Sequence, residues 1–67
     1  MKLDAKRLNY EMAKACMNMK ELSEKSGVSK QTLVAAKAGR RNPKPSTIGK
    51  IAKALDVIID DIIEKGD

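Results

Sequence analysis

The side chains best suited to chemistry in this chain are cations and short polar groups that lie between residues 28 and 53. This segment contains seven Lys or Arg and no Asp or Glu, whereas a solvated protein surface normally mixes both signs of charge. Ammonium and guanidinium groups, hydroxyls and amides are the donors that bind phosphate and other anions. The sequence therefore predicts an anion-binding surface, with nucleic acid as the preferred partner and an anionic membrane surface well behind. The seven cations are Lys30, Lys37, Arg40, Arg41, Lys44, Lys50 and Lys53.

The composition limits the other functions. A chain of 67 residues with no His, one Cys and no Trp or Phe has room for one small domain with an aliphatic core. Without His, without a pair of acids placed for a cleft and without a phosphate-binding glycine loop, an enzyme is disfavoured. The sequence predicts no cofactor and no metal site. RNA binding would fit the charge alone, but the aromatic stacking platform of single-strand readers is missing.

The location follows from hydropathy. No apolar run approaches the roughly 20 residues of a membrane span, and the N-terminal residues have no uninterrupted apolar region that would indicate a signal peptide. A single cysteine, Cys16, cannot form an internal disulfide, which fits a reducing compartment. The sequence therefore predicts a cytoplasmic protein with no membrane partner.

The spacing of apolar residues predicts an all-α fold with five helices, at about residues 4–16, 19–25, 30–38, 45–55 and 59–65. Asn18 followed by Glu21 is close to a capping box for the second helix, and Ser29 is the expected N-cap of the third. Gly27 and Gly39 are expected to end the second and third helices in the left-handed conformation. Cys16 and Met17 are expected in the core.

The second and third helices, with the turn between them, predict a helix-turn-helix. Gly27 permits the positive φ that this turn needs, and Val28 is an apolar turn residue that can fill the gap between the helices. Ser23 is small enough to let the two helices approach. With Leu22 and Leu33 facing inward, the third helix presents a polar, basic first turn, as a recognition helix in the major groove requires.

Taken together, these positions resemble the Cro/repressor-type (XRE-type) helix-turn-helix domain. The resemblance covers about residues 8–64 and implies a five-helix, lambda-repressor-like DNA-binding domain. It implies one domain over residues 1–67, a helix-turn-helix at about 19–38 and a C-terminal helix at about 59–65. The matching residues are Leu22, Gly27, Val28, Ser29, Thr32, Leu33, Gly39, Asn42, Pro43, Thr47, Ile51, Ala52, Ala54, Leu55, Val57 and the pair Ile62 and Ile63.

The chain departs from the family pattern at several positions. Met19 stands where the second helix usually begins with a Gln that contacts phosphate. Met12 and Lys37 stand where many members pair an Arg with a Glu, and the joint change avoids a buried unpaired carboxylate. Ala35 replaces a larger residue and can offer at most a methyl contact to thymine.

The resemblance implies a double-stranded DNA partner, usually a palindromic operator bound by a homodimer, and a role in transcription in a bacterial or phage-type cytoplasm, on the nucleoid. Repression is the expected outcome. The alternative for Lys30 and Gln31 is that they are ordinary exposed residues of the first turn of the third helix. Arg41 is expected to contribute less to phosphate contact, and Lys50 and Lys53 are expected to be ordinary solvated residues. The base-reading candidates are Lys30, Gln31, Val34 and Ala35. The phosphate candidates are Asn18, Ser29, Thr32, Lys37, Arg40, Asn42 and Lys44.

The last predicted helix has one apolar residue more than a core needs. Ile58, with Ile62 or Ile63, is therefore predicted to form a two-fold dimer contact that places two recognition helices about 34 Å apart, one turn of DNA. The alternative function keeps the fold but makes this helix the essential surface. The protein would then be an interaction module, such as an antitoxin or a partner-dependent regulator, with mainly non-specific DNA binding.

Overall fold

The computed structural model describes residues 1–65, and these form four α-helices followed by a 3-10 turn. The helices begin and end within two residues of the predicted bounds. Within residues 1–65 no helix is long and apolar enough to cross a membrane. The elements are α1 (Ala5–Lys14), α2 (Met19–Ser26), α3 (Lys30–Lys37), α4 (Pro45–Leu55) and the 3-10 turn Ile59–Asp61.

Side chains cap the first three helices at their N-termini. Asp4 Oδ1 accepts from the backbone N–H groups of Lys6 and Arg7 at 3.0 and 3.1 Å. The predicted capping box of α2 is present: the Glu21 N–H donates to Asn18 Oδ1 at 2.8 Å, and the Asn18 N–H donates to Glu21 Oε1 at 2.9 Å. These bonds satisfy N–H groups that a helix leaves without an internal partner.

Left-handed residues terminate helices at four places, and only two of these residues are glycine. Gly27 and Gly39 adopt φ of 76° and 79°, as predicted, but Cys16 and Asp56 adopt φ of 57° and 58°. The Met17 N–H then donates to the Met12 carbonyl at 2.9 Å, which closes the end of α1. The prediction that Cys16 lies in the core is wrong, because the left-handed turn exposes its side chain.

The core is aliphatic and is built from all four helices and the C-terminal segment. α2 packs against both α3 and α4, and Leu22 and Leu33 face inward as predicted. Val28 is buried in the turn between α2 and α3. Its carbonyl accepts a 2.6 Å hydrogen bond from the Ser23 hydroxyl, so a small polar residue on α2 fixes the path of the turn into α3. The fully buried side chains are Leu8, Leu22, Leu33, Ile48, Ile51 and Ile62.

The prediction of a helix at residues 59–65 is wrong. Residues 66 and 67, which belong to the predicted domain, lie outside the described residues. After the single 3-10 turn the chain extends, and Ile63 forms an antiparallel bridge with Leu3. The Asp4 N–H donates to the Ile62 carbonyl at 2.9 Å, and the Glu64 N–H donates to the Lys2 carbonyl at 2.8 Å. β-Branched Ile residues favour such an extended pairing over a helix.

This pairing also corrects one predicted dimer contact. The Ile62 side chain is fully buried in the core, so it cannot touch a partner, and that prediction is wrong. Ile63 is half-buried and packs against the core beside its bridge to Leu3. Ile58 remains 66% exposed, so it alone of the three presents a large free apolar surface.

Two cations of α1 form ion pairs: Arg7 Nε lies 3.7 Å from Asp4 Oδ2, and Lys14 pairs with Glu11. The Glu11 side chain is buried, and the Lys14 ammonium lies 3.2 Å from its Oε1 atom. The Glu11 carboxylate raises the pKa of Lys14 above its usual value. The same ammonium lies 5.6 Å from the centre of the Tyr10 ring. Lys14 thus pairs with a carboxylate of its own helix while its side chain stays largely exposed.

We expect Cys16→Gly to raise the free energy of unfolding by about 1 kcal/mol, because glycine adopts a left-handed conformation without the Cβ clash that Cys16 suffers. For a domain of this size the melting temperature should rise by about 4–8 °C, as measured by thermal denaturation. The control is Ala13→Gly, inside α1, which should lower the free energy of unfolding. Equal losses in both variants would show that the left-handed turn carries no strain.

Candidate nucleic-acid interface

The solvent face of α3 carries the predicted reading residues. Leu33 and Ala36 are buried against the rest of the domain, which turns the opposite side of the helix outward. Lys30, Gln31 and Val34 are exposed, and Ala35 is half-buried at the edge of this face. Because residues three and four apart lie on one side of a helix, Lys30, Gln31 and Val34 form one continuous strip.

The N-terminus of α3 is closed by a pair of hydroxyls. Ser29 Oγ accepts from the Thr32 N–H at 3.2 Å, and the Ser29 hydroxyl donates to Thr32 Oγ1 at 2.8 Å. Ser29 is therefore the N-cap that the sequence predicts. The Ser29 and Thr32 hydroxyls share one hydrogen bond, and because either hydroxyl can rotate, the pair keeps one hydrogen for an external acceptor.

A shallow depression of about 300 Å³ lies beside the reading strip. Lys30, Gln31 and Val34 line it from α3, and Arg40 lines it from the loop that follows. The position of Arg40 is fixed because its N–H donates to the Ala35 carbonyl at 2.9 Å, behind the left-handed Gly39. Arg40, predicted to contact phosphate, thus lies next to the residues predicted to read bases.

A second depression, of about 480 Å³, faces the start of α4 and has a more polar lining than the first. Pro43 is buried at its base and anchors the loop. The first helical residue of α4 is Pro45, and Lys44 makes no side-chain capping bond. The N–H groups of Ser46 and Thr47 are therefore left for an external acceptor at the positive end of a helix dipole. The lining residues are Thr32, Arg41, Asn42, Pro43, Lys44 and Thr47.

Arg41, which the sequence predicts to be less important, and Thr47, which is not among the predicted site residues, both line the second depression. Arg40 and Arg41 are neighbours in the chain, but Arg40 lines the first depression and Arg41 lines the second. In an extended segment, consecutive side chains point to opposite sides. Pro43 and Pro45 end the helical pattern and favour an extended chain before them. The sequence therefore contained a signal that Arg40 and Arg41 would face different ways. Thr47, at the third position of α4, could have been found from its closeness to a helix N-terminus.

The start of α2 offers less to an anion. Asn18 Oδ1 and the Asn18 N–H are both used in the capping box, and the Glu21 carboxylate already lies at the positive end of the helix. The Asn18 side-chain nitrogen remains as a donor. Lys37 is half-buried beside Met19, in a third depression of about 300 Å³ that is largely apolar and also contacts Val34.

The arrangement can therefore bind a polyanion, with cations and free N–H groups on both sides of an exposed helix. Within residues 1–65 there is no group of three or more His, Cys, Asp or Glu side chains that could hold a metal ion. Of the side chains that line the three depressions beside α3, those that carry charge are cations.

Comparison with known proteins agrees with this geometry. The helix-turn-helix family matches residues 11–62 of the chain. An uncharacterized HTH-type transcriptional regulator of Methanocaldococcus jannaschii is 38% identical over 56 residues, which cover 84% of this chain and 85% of the relative. The family and the name of this relative support a DNA-binding transcriptional regulator, a kind of protein that is not an enzyme.

We expect Ser29→Ala to lower the free energy of unfolding by about 1 kcal/mol, since it removes the N-cap of α3. Ser29→Asp should keep the stability, because aspartate is an equally good N-cap. Thr32→Val keeps both the shape at position 32 and the capping serine, so it should change stability little. Urea denaturation of the three variants measures this, and a Ser29→Ala protein as stable as the original would show that the cap contributes nothing.

Proposed function

The chain belongs to the XRE-type helix-turn-helix family, and from this we propose that it is a transcriptional repressor that binds a palindromic operator as a homodimer. The observation that carries the proposal is the exposed strip of Lys30, Gln31 and Val34 on α3, with the second depression, which Arg41 and Lys44 line, beside Thr32 of the same helix. A helix with this strip fits the major groove, and the polar groups beside it fit the phosphates that border the groove.

Base reading falls to four residues of α3. Gln31 can donate to and accept from an adenine edge, and Lys30 can donate to the acceptors of guanine. Val34 and Ala35 offer apolar contact, which suits the methyl group of thymine. Lys30 and Gln31 lie in the first turn of α3, the part of a recognition helix that enters most deeply.

Phosphate binding falls mainly to the second depression. The Thr32 hydroxyl, the Arg41 guanidinium and the Lys44 ammonium surround it, and the free N–H groups of α4 complete a site for one or two phosphates. Asn42 can donate its amide to the same strand. On the other side of α3, Lys37 and the side-chain nitrogen of Asn18 are the available donors, so the two strands are held unequally. Arg40 and Ser29 contribute more to the base-reading face of α3 than to the contacts with DNA phosphates.

The exposed Ile58 forms the proposed dimer contact. A broad depression of about 620 Å³ lies beside it, with the small residues Gly49 and Ala52 in its wall. One cation, Lys53, and two acids, Asp56 and Asp60, line the same depression. In a two-fold contact each depression meets its own copy, so Lys53 of one protomer would face an aspartate of the other. The half-buried Ile63 is at most a peripheral contact.

The size of the domain is compatible with this dimer. Its principal extents are 31 × 21 × 18 Å, so two copies side by side can hold their α3 helices about 34 Å apart, one turn of DNA. Occupation of an operator that overlaps a promoter would exclude polymerase in the cytoplasm without any further chemistry.

The decisive experiment is selection from a random duplex library, followed by salt titration on the selected and a scrambled duplex. A palindromic winner bound at least 10³-fold more tightly than scrambled DNA is expected for an operator-reading dimer. Gln31→Ala should then relax one base position in each half-site. If no sequence is enriched, the proposal is wrong, and a protein partner bound through Ile58 becomes the better explanation of this surface.

We expect Arg41→Gln and Lys44→Gln each to weaken binding by the same factor on the operator and on scrambled DNA. Each change should also reduce the slope of log K against log salt by about 1, because each removes one phosphate contact. Fluorescence anisotropy at four or five salt concentrations measures both quantities. Lys50→Gln, a charge change on the exposed side of α4, is the control. A slope that falls as much in the control as in Arg41→Gln would mean that overall charge, and not this depression, holds the phosphates.

We expect Ile58→Ser to convert the dimer to a monomer and to weaken operator binding at low protein concentration. Sedimentation equilibrium at tens of micromolar measures the first effect. Tyr10→Ser is a matched control, since Tyr10 is 65% exposed and Ile58 is 66% exposed. A wild-type protein that is monomeric both free and on the operator would refute the dimer.

A further inference from the structure

The third depression, near the end of α3, is apolar apart from one ammonium group. Its volume is about 300 Å³, which is near the lower limit for small-molecule sites in proteins. Helices α1, α2 and α3 all contribute to its wall, so a ligand there would touch three elements at once. The lining residues are Ala5, Met19, Val34, Lys37 and Ala38.

The charge in this depression comes from Lys37 alone among its lining residues. Lys37 is half-buried. In the described part of the chain, the ion pairs are those of Arg7 and Lys14, and no carboxylate pairs with Lys37. An ammonium that is partly removed from water is stabilised by a negative partner. The depression therefore favours a ligand with one anionic group.

The apolar wall sets the second property of the ligand. Met19 provides a flexible thioether chain that adapts to the shape of an apolar group, while Val34 and the two alanines provide methyl groups. A phosphate of the DNA backbone would pair with Lys37 but would leave this wall without apolar contact. An alkyl chain would cover the wall and gain about fourfold in affinity for each methylene that it buries.

We infer that the third depression binds a small organic carboxylate with an unbranched alkyl chain of roughly four to eight carbons. The carboxylate pairs with the Lys37 ammonium, and the alkyl chain lies against Met19 and Val34. The other two depressions beside α3 differ in that each is lined by two cations and so fits a polyanion better.

Occupation of this site would oppose DNA binding. Val34 belongs to the reading strip, Lys37 is a proposed phosphate donor, and both line the depression. A bound carboxylate neutralises Lys37 and its chain covers Val34, so ligand and operator exclude each other at this part of α3. The carboxylate thus acts as an inducer that releases the operator. This regulatory role rests on the proposed function, whereas the binding of the carboxylate does not.

Methionine methyl NMR measures the binding directly, with hexanoate as the probe. The chain has four methionines, of which Met19 lines the depression. Met12 and Met17 pack in or against the core and are internal controls. Hexanoate should shift the Met19 methyl resonance to saturation and leave both controls in place. From butanoate to hexanoate the Kd should fall about fourfold for each added methylene. Hexylammonium, with the opposite charge on the same chain, should not bind.

A protein variant then assigns the charge dependence to the depression. Lys37→Gln removes the ammonium and keeps a polar side chain, and thermal melting checks that the variant folds. The Kd of hexanoate should rise about fivefold, the upper range for a partly exposed ion pair, and the Kd of uncharged hexan-1-ol should stay the same. Lys50→Gln removes the same charge from α4, outside the depression, and should change neither Kd.

Fluorescence anisotropy measures the inducer role on the selected operator, with acetate at equal ionic strength as the control. At a hexanoate concentration of about ten times its Kd, competition should raise the apparent Kd of the operator about tenfold. Acetate, which lacks the alkyl chain, should have no such effect.

The outcomes separate the inference from the proposed function. If the Met19 methyl shifts no more than those of Met12 and Met17, if hexylammonium binds as well as hexanoate, or if Lys37→Gln leaves the hexanoate Kd unchanged, the carboxylate site is wrong and the repressor proposal stands. If hexanoate binds at Met19 but does not displace the operator, the inducer role is wrong. If no duplex is selected at all, the repressor proposal and the inducer role are both overturned, and the NMR titration still decides whether the carboxylate site exists.

Discussion

The direction in which α3 leaves the core depends on one short hydrogen bond. The Ser23 hydroxyl donates to the Val28 carbonyl at 2.6 Å, and this bond holds the turn closed while Val28 fills the space beneath it. Gly27 makes the turn sterically possible at φ 76°. Every group of the candidate interface on α3 and its loop is placed by this turn. Together with the burial of Leu33 and Ala36, this bond positions the exposed strip of α3 relative to the N-terminus of α4.

The fold divides its polar groups between internal and external use. At α2 the capping box consumes Asn18 Oδ1 and supplies the negative charge of Glu21, and at α3 Ser29 is consumed as the cap. α4 has no such bond at its N-terminus, and it is α4 that faces the loop with Arg41 and Lys44. The cations Arg41 and Lys44 therefore lie next to α4, the helix without a side-chain cap. An unsatisfied helix terminus at the surface is stabilised when an anion binds there, so the missing cap is consistent with phosphate as its partner.

The sequence predicted most of the fold because the signals were local. Helical spacing, the Asn18–Glu21 box and the two left-handed glycines act within four residues of one another, and all are confirmed. The resemblance to the XRE-type family is also confirmed. The failures were non-local. The Ile-rich end was read as a helix because the pattern could not show that Lys2–Asp4 pairs with it. Cys16 was read as core because its left-handed turn has no glycine to mark it. The sequence could not predict which depression Arg40 and Arg41 each line, because this depends on the path of the loop. The roles proposed for the site residues stay predictions.

If α3 reads bases as proposed, its small number of reading groups makes the proposed dimer a requirement of specificity. Phosphate contacts fix the register but carry no sequence information, so discrimination between operators must come from α3. Ala35 offers only a methyl group there, which leaves Lys30, Gln31 and Val34 in each protomer. If these supply about 2–4 kcal/mol of discrimination per half-site, a monomer falls short of the roughly 4–10 kcal/mol that separates specific from non-specific binding. Two symmetric half-sites double the sum and reach that range. Under the proposed function, the exposed Ile58 and the exposed Val34 would therefore act together, since the modest discrimination that one apolar contact provides on DNA becomes useful only when a second copy repeats it.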